Sequence, residues 1–387
     1  MRVDFVGHAA LLLRLGRLTI LTDPWWASPA FKGQWCPYPL PVTDGFDPRS
    51  LDAVYISHAH EDHLHRDTLR EILAAAPDVL AVIPRRYDTL MRDYLVRIGF
   101  RNIREVASGT RIQLRKGAHV AKLRVFTHLD DSLLSVEYGG QVLLNANDAL
   151  HSAPRELIEA YCRDLRRRLP HVDYLFCGFG GASYFPNCVH VPGKDDVAVA
   201  QVREEFFLRN FALVARRLHP RFAFPFAAHF VLPNEHNWWI SARRLSMPPP
   251  SEIVRRVAPD LPTQVVDLQP GDWVEGGDIH ASAYPGGEPE AARREVIARY
   301  GPPATIREIA VADFERLIEA TRARVEQRIA AAPGTAALDA VFRLWDYPAA
   351  GIHIAVGDGR CQVSAISLDD LASASPEVVF ETRSDLL

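Results

Sequence analysis

Short apolar runs bounded by turn-prone residues recur along the N-terminal part of the chain and predict buried strands. The first runs are Val3–Val6, Ala10–Leu15 and Leu18–Thr22, and Gly16-Arg17 provides a tight hairpin between the last two. Later runs of the same kind are Ala53–Ile56, Val79–Pro84, Leu133–Tyr138, Val142–Asn145, Tyr174–Cys177 and Phe222–Phe226. Several polar motifs follow directly after these predicted strands.

Apolar residues at helical spacing predict helices between the strands. Asp67 to Ala75 is the first such segment, and Tyr87 to Ile98 is the second. A third helix is predicted from Asp196 to Leu218, with its buried side formed by Phe206, Phe207, Phe211 and Val214. The polar segment between Ile56 and Asp67 is therefore a strand-to-helix loop, where side chains can converge from a rigid base.

That loop contains the sequence Ser57-His58-Ala59-His60-Glu61-Asp62-His63, in which three imidazoles and two carboxylates crowd together. A polar surface turn that happens to be rich in histidine is the alternative interpretation. Neutral imidazole and carboxylate are ligands of zinc, iron and manganese, and several such donors in one loop can hold one or two ions. The spacing and the preceding strand therefore favour a metal site.

Composition narrows the classes of protein. At 387 residues the chain is long enough for two domains, and 48% hydrophobic and 24% charged residues are ordinary for a globular protein. A net charge of −4 gives no basic footprint for nucleic acid or an anionic membrane. The five scattered cysteines form no Cys-x-x-Cys pair, and Arg14 and Arg17 interrupt the apolar start. We therefore expect no Rieske-type cluster, signal peptide or membrane span, and a reduced, cytoplasmic setting.

The metal motif is the signature of the metallo-β-lactamase superfamily. The chain resembles the metallo-β-lactamase-like portion of the CMP-N-acetylneuraminate hydroxylase family over about residues 1–275. The resemblance is carried by the Gly-His start, LTDPWW from Leu21, SHAHEDHL from Ser57, GGASYFPN from Gly180 and PFAAHFV from Pro225. It implies an α/β fold, an αββα sandwich with metals at one edge, in a domain covering residues 1–283.

The resemblance also implies a dinuclear site with two transition-metal ions, iron being favoured over zinc or manganese. Its metal ligands are expected to be His58, His60, Asp62, His63, His128 and Asp148. Asp62 and His229 are the candidates for a catalytic role. Whether His229 binds metal, contacts substrate or is structural stays open, because the hydroxylase family typically has no ligand there and hydrolytic relatives place their last histidine where this chain has Phe226. Candidates for orienting the ligands or contacting substrate are His8, Asp23, Trp25, Trp26, Asp131, Ser183, Tyr184, Glu235 and His236.

The aromatic stretch from Pro24 to Pro41 is too long for a simple connection. We expect it to fold over the metals and shape the substrate pocket, although its aromatic residues could merely pack the loop down.

Two enzyme classes fit these residues. A non-haem di-iron oxygenase, an oxidoreductase with monooxygenase chemistry, would oxidise a small organic substrate; a zinc hydrolase would cleave an ester, amide or phosphodiester. A metal-binding protein without catalysis fits least, since the motif is complete. The length of the resemblance favours the oxygenase. Without a Rieske domain of its own, such an enzyme would take electrons from a separate donor protein or from the substrate.

Tyr284-Pro285-Gly286-Gly287-Glu288-Pro289 reads as a linker to a second domain, residues 290–387. A helical apolar face is followed by four strand-like runs, Val341–Trp345, Ile352–Val356, Cys361–Ile366 and Val378–Thr382. This small α+β domain loosely resembles sterol-carrier-like domains. It is expected either to bind an apolar or carrier-linked substrate or to mediate packing in a homodimer.

Overall fold

The structure is a computed structural model that describes residues 1–181, 189–284, 288–303, 308–331 and 337–382. The chain divides into two compact units. The first comprises residues 1–181 and 203–303, and the second comprises residues 182–202 and 304–387. The predicted residues Ser183 and Tyr184 lie outside the described part of the chain.

The described strands, in chain order, are β1 (Arg2–Gly7), β2 (Ala10–Leu15), β3 (Leu18–Thr22), β4 (Cys36–Pro37), β5 (Ala53–Tyr55), β6 (Leu80–Pro84), β7 (Asn102–Val106), β8 (Arg111–Lys116), β9 (His119–His128), β10 (Asp131–Tyr138), β11 (Gln141–Asn147), β12 (Tyr174–Gly178), β13 (Val189–His190), β14 (Phe222–Phe226), β15 (Phe230–Val231), β16 (Gln264–Val265), β17 (Trp273–Glu275), β18 (Asp278–His280), β19 (Leu338–Leu344), β20 (Tyr347–Gly357), β21 (Arg360–Ser367) and β22 (Val378–Thr382).

The described helices are α1 (Arg66–Ala75), α2 (Leu90–Ile98), α3 (Arg155–Arg168), α4 (Asp196–Leu218), α5 (Trp238–Leu245), α6 (Pro250–Val257), α7 (Pro289–Tyr300), α8 (Val311–Ala331) and α9 (Leu368–Ala374). A short 3-10 turn covers Pro48–Ser50. None of the helices in the described ranges is both long enough and apolar enough to cross a membrane.

Two large sheets form the first unit. One has the strand order β18-β17-β1-β2-β3-β5-β6-β7, and the other has the order β16-β14-β12-β11-β10-β9-β8. Inward-facing residues of both sheets share one buried cluster, exemplified by Phe5, Leu13, Val136, Phe176 and Phe224. Alternate residues of a strand point to opposite faces, so each sheet has a second apolar face that must also be covered.

Helices cover these outer faces. The first sheet packs against α1 and α2 through Val54, Leu69 and Leu95. The second sheet packs against α3, α4 and α6 through a separate cluster that includes Ile158 and Phe211. The layers are therefore helix, sheet, sheet and helix, and the first unit has the αββα metallo-β-lactamase sandwich that the sequence predicts.

The second unit has an antiparallel-dominated sheet, ordered β13-β22-β19-β20-β21. Helix α8 packs on it with Phe314 and Ile318 against Ile352 and Ile354. This arrangement is the α+β character predicted for the C-terminal region. The likeness to sterol-carrier domains and the dimerisation role stay predictions.

Two details differ from the sequence-based expectations. Phe206 is 43% exposed, whereas Phe207, Phe211 and Val214 are buried. Successive helical residues are rotated by about 100°, so Phe206 lies off the stripe formed by the other three. The boundary also shifts, because α7 belongs to the first unit. There Val296 is fully buried in a cluster with Trp238, whose Nε1 donates a hydrogen bond to Glu290 at 2.7 Å.

Candidate metal centre

The polar motifs that follow the predicted strands lie at one edge of the sheets, because the strands before them run parallel. Strands β3, β5 and β6 run parallel to one another in the first sheet, as do β11, β12 and β14 in the second. Asp23 follows β3, the histidine-rich loop follows β5 and Asp148 follows β11. The carboxyl ends of parallel strands share one edge of a sheet, which brings these loops together.

The histidine-rich loop is anchored from both sides. Asp23 Oδ1 accepts a hydrogen bond from the Ser57 amide at 2.8 Å, and Ser132 Oγ donates to the Ser57 carbonyl at 2.6 Å. Asp23, Ser57 and Ser132 are all completely buried. Within the loop, His58, Asp62 and His63 are buried, whereas His60 is exposed.

One group of potential metal donors contains His58, His60 and Asp131, whose ligand atoms lie within 4.8 Å of one another. His58 Nε2 lies 2.8 Å from His60 Nδ1, and His58 Nδ1 lies 3.5 Å from Asp131 Oδ1. Asp131, predicted only to assist the ligands, is therefore placed among the donors.

A second group contains His8, Asp62 and His63. His8 Nε2 and His63 Nε2 lie 3.1 and 3.6 Å from Asp62 Oδ2. A third group, His58, His63 and Asp148, shares one histidine with each of the other two. His63 Nε2 lies 3.4 Å from Asp148 Oδ2. The three groups are thus contiguous, and Asp148 lies where the first two meet.

Charge is concentrated at this junction. Burial opposes a charge on His63, but the carboxylates of Asp62 and Asp148 raise its pKa well above the ordinary value. Burial also opposes charge on the two carboxylates, yet His63 helps hold the pKa of Asp62 at about 2 and that of Asp148 far below its usual range. Burial lowers the pKa of His58 and raises that of Asp131 to about 7.

Several buried nitrogen and oxygen atoms that could bind metal have no hydrogen-bond partner among the described residues. They include both ring nitrogens of His63 and Oδ1 of Asp148. Buried polar atoms are rarely left unpaired, and each one costs about 1–3 kcal/mol. A divalent cation would satisfy His63 Nε2 and Asp148 Oδ1 and neutralise the carboxylates, while His63 Nδ1 faces Asp23, so the residues fit two transition-metal ions.

His128 and His229 are in none of the three donor groups. His128 ends β9, directly opposite Asp131 in the ladder, and its ring meets Tyr161 edge-on at 4.9 Å. The buried ring of His229 contacts Phe5 and Phe179 edge-on, at 5.1 and 5.5 Å. The ligand role of His128 and the catalytic role of His229 stay predictions.

Comparison with known proteins identifies the fold family. Residues 18–163 match the beta-lactamase superfamily domain. This match spans the loops that carry His58 to Asp148, and it supports the metallo-β-lactamase fold. A variant of the CmlA beta-hydroxylase has the same fold, with a TM-score of 0.50 and 18% identity, covering 71% of this chain and 53% of that one.

Two curated sequences extend the match beyond the superfamily domain. Cytidine monophosphate-N-acetylneuraminic acid hydroxylase of Danio rerio is 29% identical over 283 residues, which are 69% of this chain and 46% of that protein. A Mycobacterium tuberculosis protein, named as a Rieske 2Fe-2S iron-sulfur protein, is 29% identical over 215 residues, 53% of this chain and 39% of that protein. The chain thus spans less than half the length of either relative.

The aromatic stretch after β3 contacts the candidate metal site. Trp25 is fully buried, and its ring meets that of His8 edge-on at 5.0 Å. The Phe31 amide donates to Glu61 Oε2 in the histidine-rich loop. Trp26 instead packs outward and donates its Nε1 hydrogen to Glu71 at 2.9 Å. The remaining candidates, Glu235 and His236, are exposed.

Two residues that flank Asp148 were missed from the sequence. Asn147 Nδ2 donates a hydrogen bond to Asp23 Oδ2, and His151 Nδ1 donates to the Asp148 carbonyl at 2.7 Å. Both residues are buried. Their closeness to Asp148 in the sequence was the available signal. Together they fix the backbone on both sides of the carboxylate.

Substitution of Asp23 by alanine should weaken metal binding at the candidate site without removing a donor. Asp23 Oδ2 lies 3.5 Å from His63 Nδ1, and the same carboxylate holds Ser57 and Asn147. Loss of such an outer partner costs about 10- to 100-fold in metal affinity. Competition with a fluorescent zinc chelator would measure the Kd, and an unchanged Kd would contradict this role.

Proposed function

We propose that the chain is a non-haem di-iron oxygenase that oxidises a small organic substrate with electrons from a separate donor. The observation that carries the proposal is the composition of two adjoining donor groups. His58, His60 and Asp131 form one, and His8, Asp62 and His63 form the other. Each has two imidazoles and one carboxylate, the ligand set typical of non-haem Fe(II) oxygenases.

Asp148 supports a pair of ions rather than two unrelated ones. It is grouped with His58 of the first set and His63 of the second. A carboxylate has two oxygens and can contact two cations at once. The ions would be held by His58, His60 and Asp131 on one side, by Asp62, His63 and His8 on the other, and by Asp148 between them.

The named relatives also support oxidation. The match to the Danio rerio hydroxylase extends over 283 residues, well beyond the histidine-rich loop. Its nucleotide-sugar substrate is not carried over, because the chain spans 46% of that protein. The proposed substrate class is therefore limited to a small organic molecule.

Hydroxylation of a C–H bond has a fixed balance of atoms and electrons. One atom of O2 enters the C–H bond, and the other leaves as water after uptake of two electrons and two protons. Bound reduced iron would supply the capacity to activate O2. The protein would supply buried carboxylates that hold the cations and an aromatic wall, including Trp25 and Phe230, that limits access of water.

The donor of the electrons is proposed to be a separate iron–sulfur protein. Cys36, Cys162 and Cys177 are buried and Cys361 is half-buried, and they are far apart in the sequence. Ligation of a Rieske cluster needs paired cysteine and histidine residues, which these cysteines do not form. The Mycobacterium tuberculosis relative, named as a Rieske protein, supports a link between this fold and such a cluster.

A zinc hydrolase is the second candidate. It is favoured by the four imidazoles in the two donor groups, since zinc accepts the same nitrogens and lowers the pKa of bound water to about 7. Such an enzyme would act on an ester, amide or phosphodiester. Zinc also accepts two imidazoles with one carboxylate, so the ligand types do not decide, and the long match to a hydroxylase makes this the weaker alternative.

The deciding experiment measures metal content and reactivity of the same preparations. Protein produced with added iron should contain about two iron ions per chain and should consume O2 when chemically reduced. Metal-free protein prepared with a chelator and protein reloaded with zinc are the controls. Zinc-loaded protein that hydrolyses generic esters or phosphodiesters, together with iron-loaded protein that consumes no O2, would reverse the assignment.

A further inference from the structure

We infer that His8 is itself a metal ligand, which completes the site of Asp62 and His63 with a residue from the first loop. The inference rests on the proposed dinuclear site and assigns one of its ligands. His8 lies far from the histidine-rich loop in the sequence, and it follows the strand β1. Its imidazole, however, lies inside the donor group of that loop.

The backbone holds His8 in an unusual conformation. Its φ is +49°, in the left-handed region that few residues other than glycine adopt. Histidine is one of the residues enriched there, together with asparagine and aspartate. The His8 carbonyl accepts a hydrogen bond from the Ala227 amide at 2.9 Å. This bond ties the loop to the chain after β14 and fixes where the imidazole points.

The distances around His8 match those between donors that share one ion. Two donors bound tetrahedrally at about 2.0–2.1 Å lie about 3.3 Å apart. Asp62 Oδ2 lies 3.1 Å from His8 Nε2 and 3.6 Å from His63 Nε2. His63 Nε2 lies 3.4 Å from Asp148 Oδ2. His8, Asp62 and His63 thus offer one ion three donors, and Asp148 lies beside His63.

The ring of His8 has no other polar task in the described structure. It is 1% exposed, and its Nδ1 has no hydrogen-bond partner among the described residues. Trp25 and Phe230 meet the ring edge-on at 5.0 and 6.1 Å. Aromatic packing therefore fixes the imidazole, and Nε2 is aimed at Asp62.

His229 is the competing histidine for this position. His229 follows β14, close to Ala227, whose amide bonds the His8 carbonyl. Like His8 it is buried, but it belongs to no donor group. Its ring is held between Phe5 and Phe179. His229 is therefore the matched control, because it is a buried imidazole near the same site that lacks the carboxylate neighbour.

The test uses Fe²⁺ alone as the probe, loaded without oxygen and counted by mass spectrometry after desalting. His8→Gln keeps an amide that can donate to Asp62 but removes the imidazole. His8→Asn also removes it and tolerates the positive φ. Circular dichroism and melting curves of the metal-free proteins establish that the variants fold. His229→Gln is the matched control.

Wild-type protein and His229→Gln should retain about two ions, whereas both His8 variants should retain about one. If His8→Gln or His8→Asn folds and keeps two ions with unchanged Kd, His8 only donates a hydrogen bond to Asp62 and the inference is wrong. A wild-type protein with one ion would refute the dinuclear proposal separately. The Kd of that ion would then decide, since loss of His8 should raise it at least about 10-fold.

Discussion

Replacement of Asp148 by alanine is expected to abolish turnover and to remove at least one of the two ions. Asp148 shares donor groups with His58 and His63, so it serves both halves of the site. Without its carboxylate, the buried cations would lose the charge that compensates them, and such a loss is strongly destabilising for the bound state. Metal analysis and an oxygen-uptake assay on the same sample measure both effects.

The fold should survive this change, because the core lies between the sheets and under the helices. His60→Ala should give the same loss of metal and activity, and its side chain is exposed, so packing is hardly affected. Asp164→Ala, on helix α3 and paired with Arg168, is the matched control for loss of a carboxylate. Full activity and two ions in Asp148→Ala would rule out the central role of this carboxylate.

The central strands of both sheets could be predicted because burial imposes a pattern on them, whereas the outer strands β7, β8, β16, β17 and β18 were not predicted. Leu18–Thr22 and Phe222–Phe226 are buried at every position, and both are mostly apolar in sequence. The boundary between the two units was harder to predict. Helix α7 has a weakly patterned sequence, and its place in the first unit depends on Trp238, which comes much earlier in the chain.

In the site, too, donors that are close together in the sequence could be predicted, whereas donors from separate loops could not. His58, Asp62 and His63 could be recognised because their spacing is local and they follow a predicted strand. His8 and Asp131 could not be assigned to the donors, because their distances depend on how separate loops meet. The positions of His8 and Asp131 relative to the histidine-rich loop cannot be read from their spacing in the sequence. They depend on the β1–β2 turn and on the register of β9 with β10, which bring these two residues to that loop.

The β9–β10 turn offers the sharpest comparison between sequence and structure. The resemblance implies that His128 binds metal, whereas the structure places Asp131 with His58 and His60. The two residues are directly opposite each other in the ladder. Arg86 holds the turn between them by donating hydrogen bonds to the carbonyls of Leu129 and Asp130. Asp131 thus lies among the donors, whereas the ring of His128 lies beside Tyr161 with both buried nitrogens unpaired among the described residues.

Alanine substitutions at these two positions should separate metal binding from stability. We expect Asp131→Ala to lose about one ion and most of its activity, because one of the two donor groups then lacks its carboxylate. The donor groups, unlike the family resemblance, predict that His128→Ala keeps both ions and instead lowers the melting temperature, because the buried ring packs edge-on against Tyr161. Metal analysis and thermal unfolding of both variants make the comparison. If His128→Ala loses an ion while Asp131→Ala keeps two, the assignment implied by the family resemblance holds, and the carboxylate only supports the histidine.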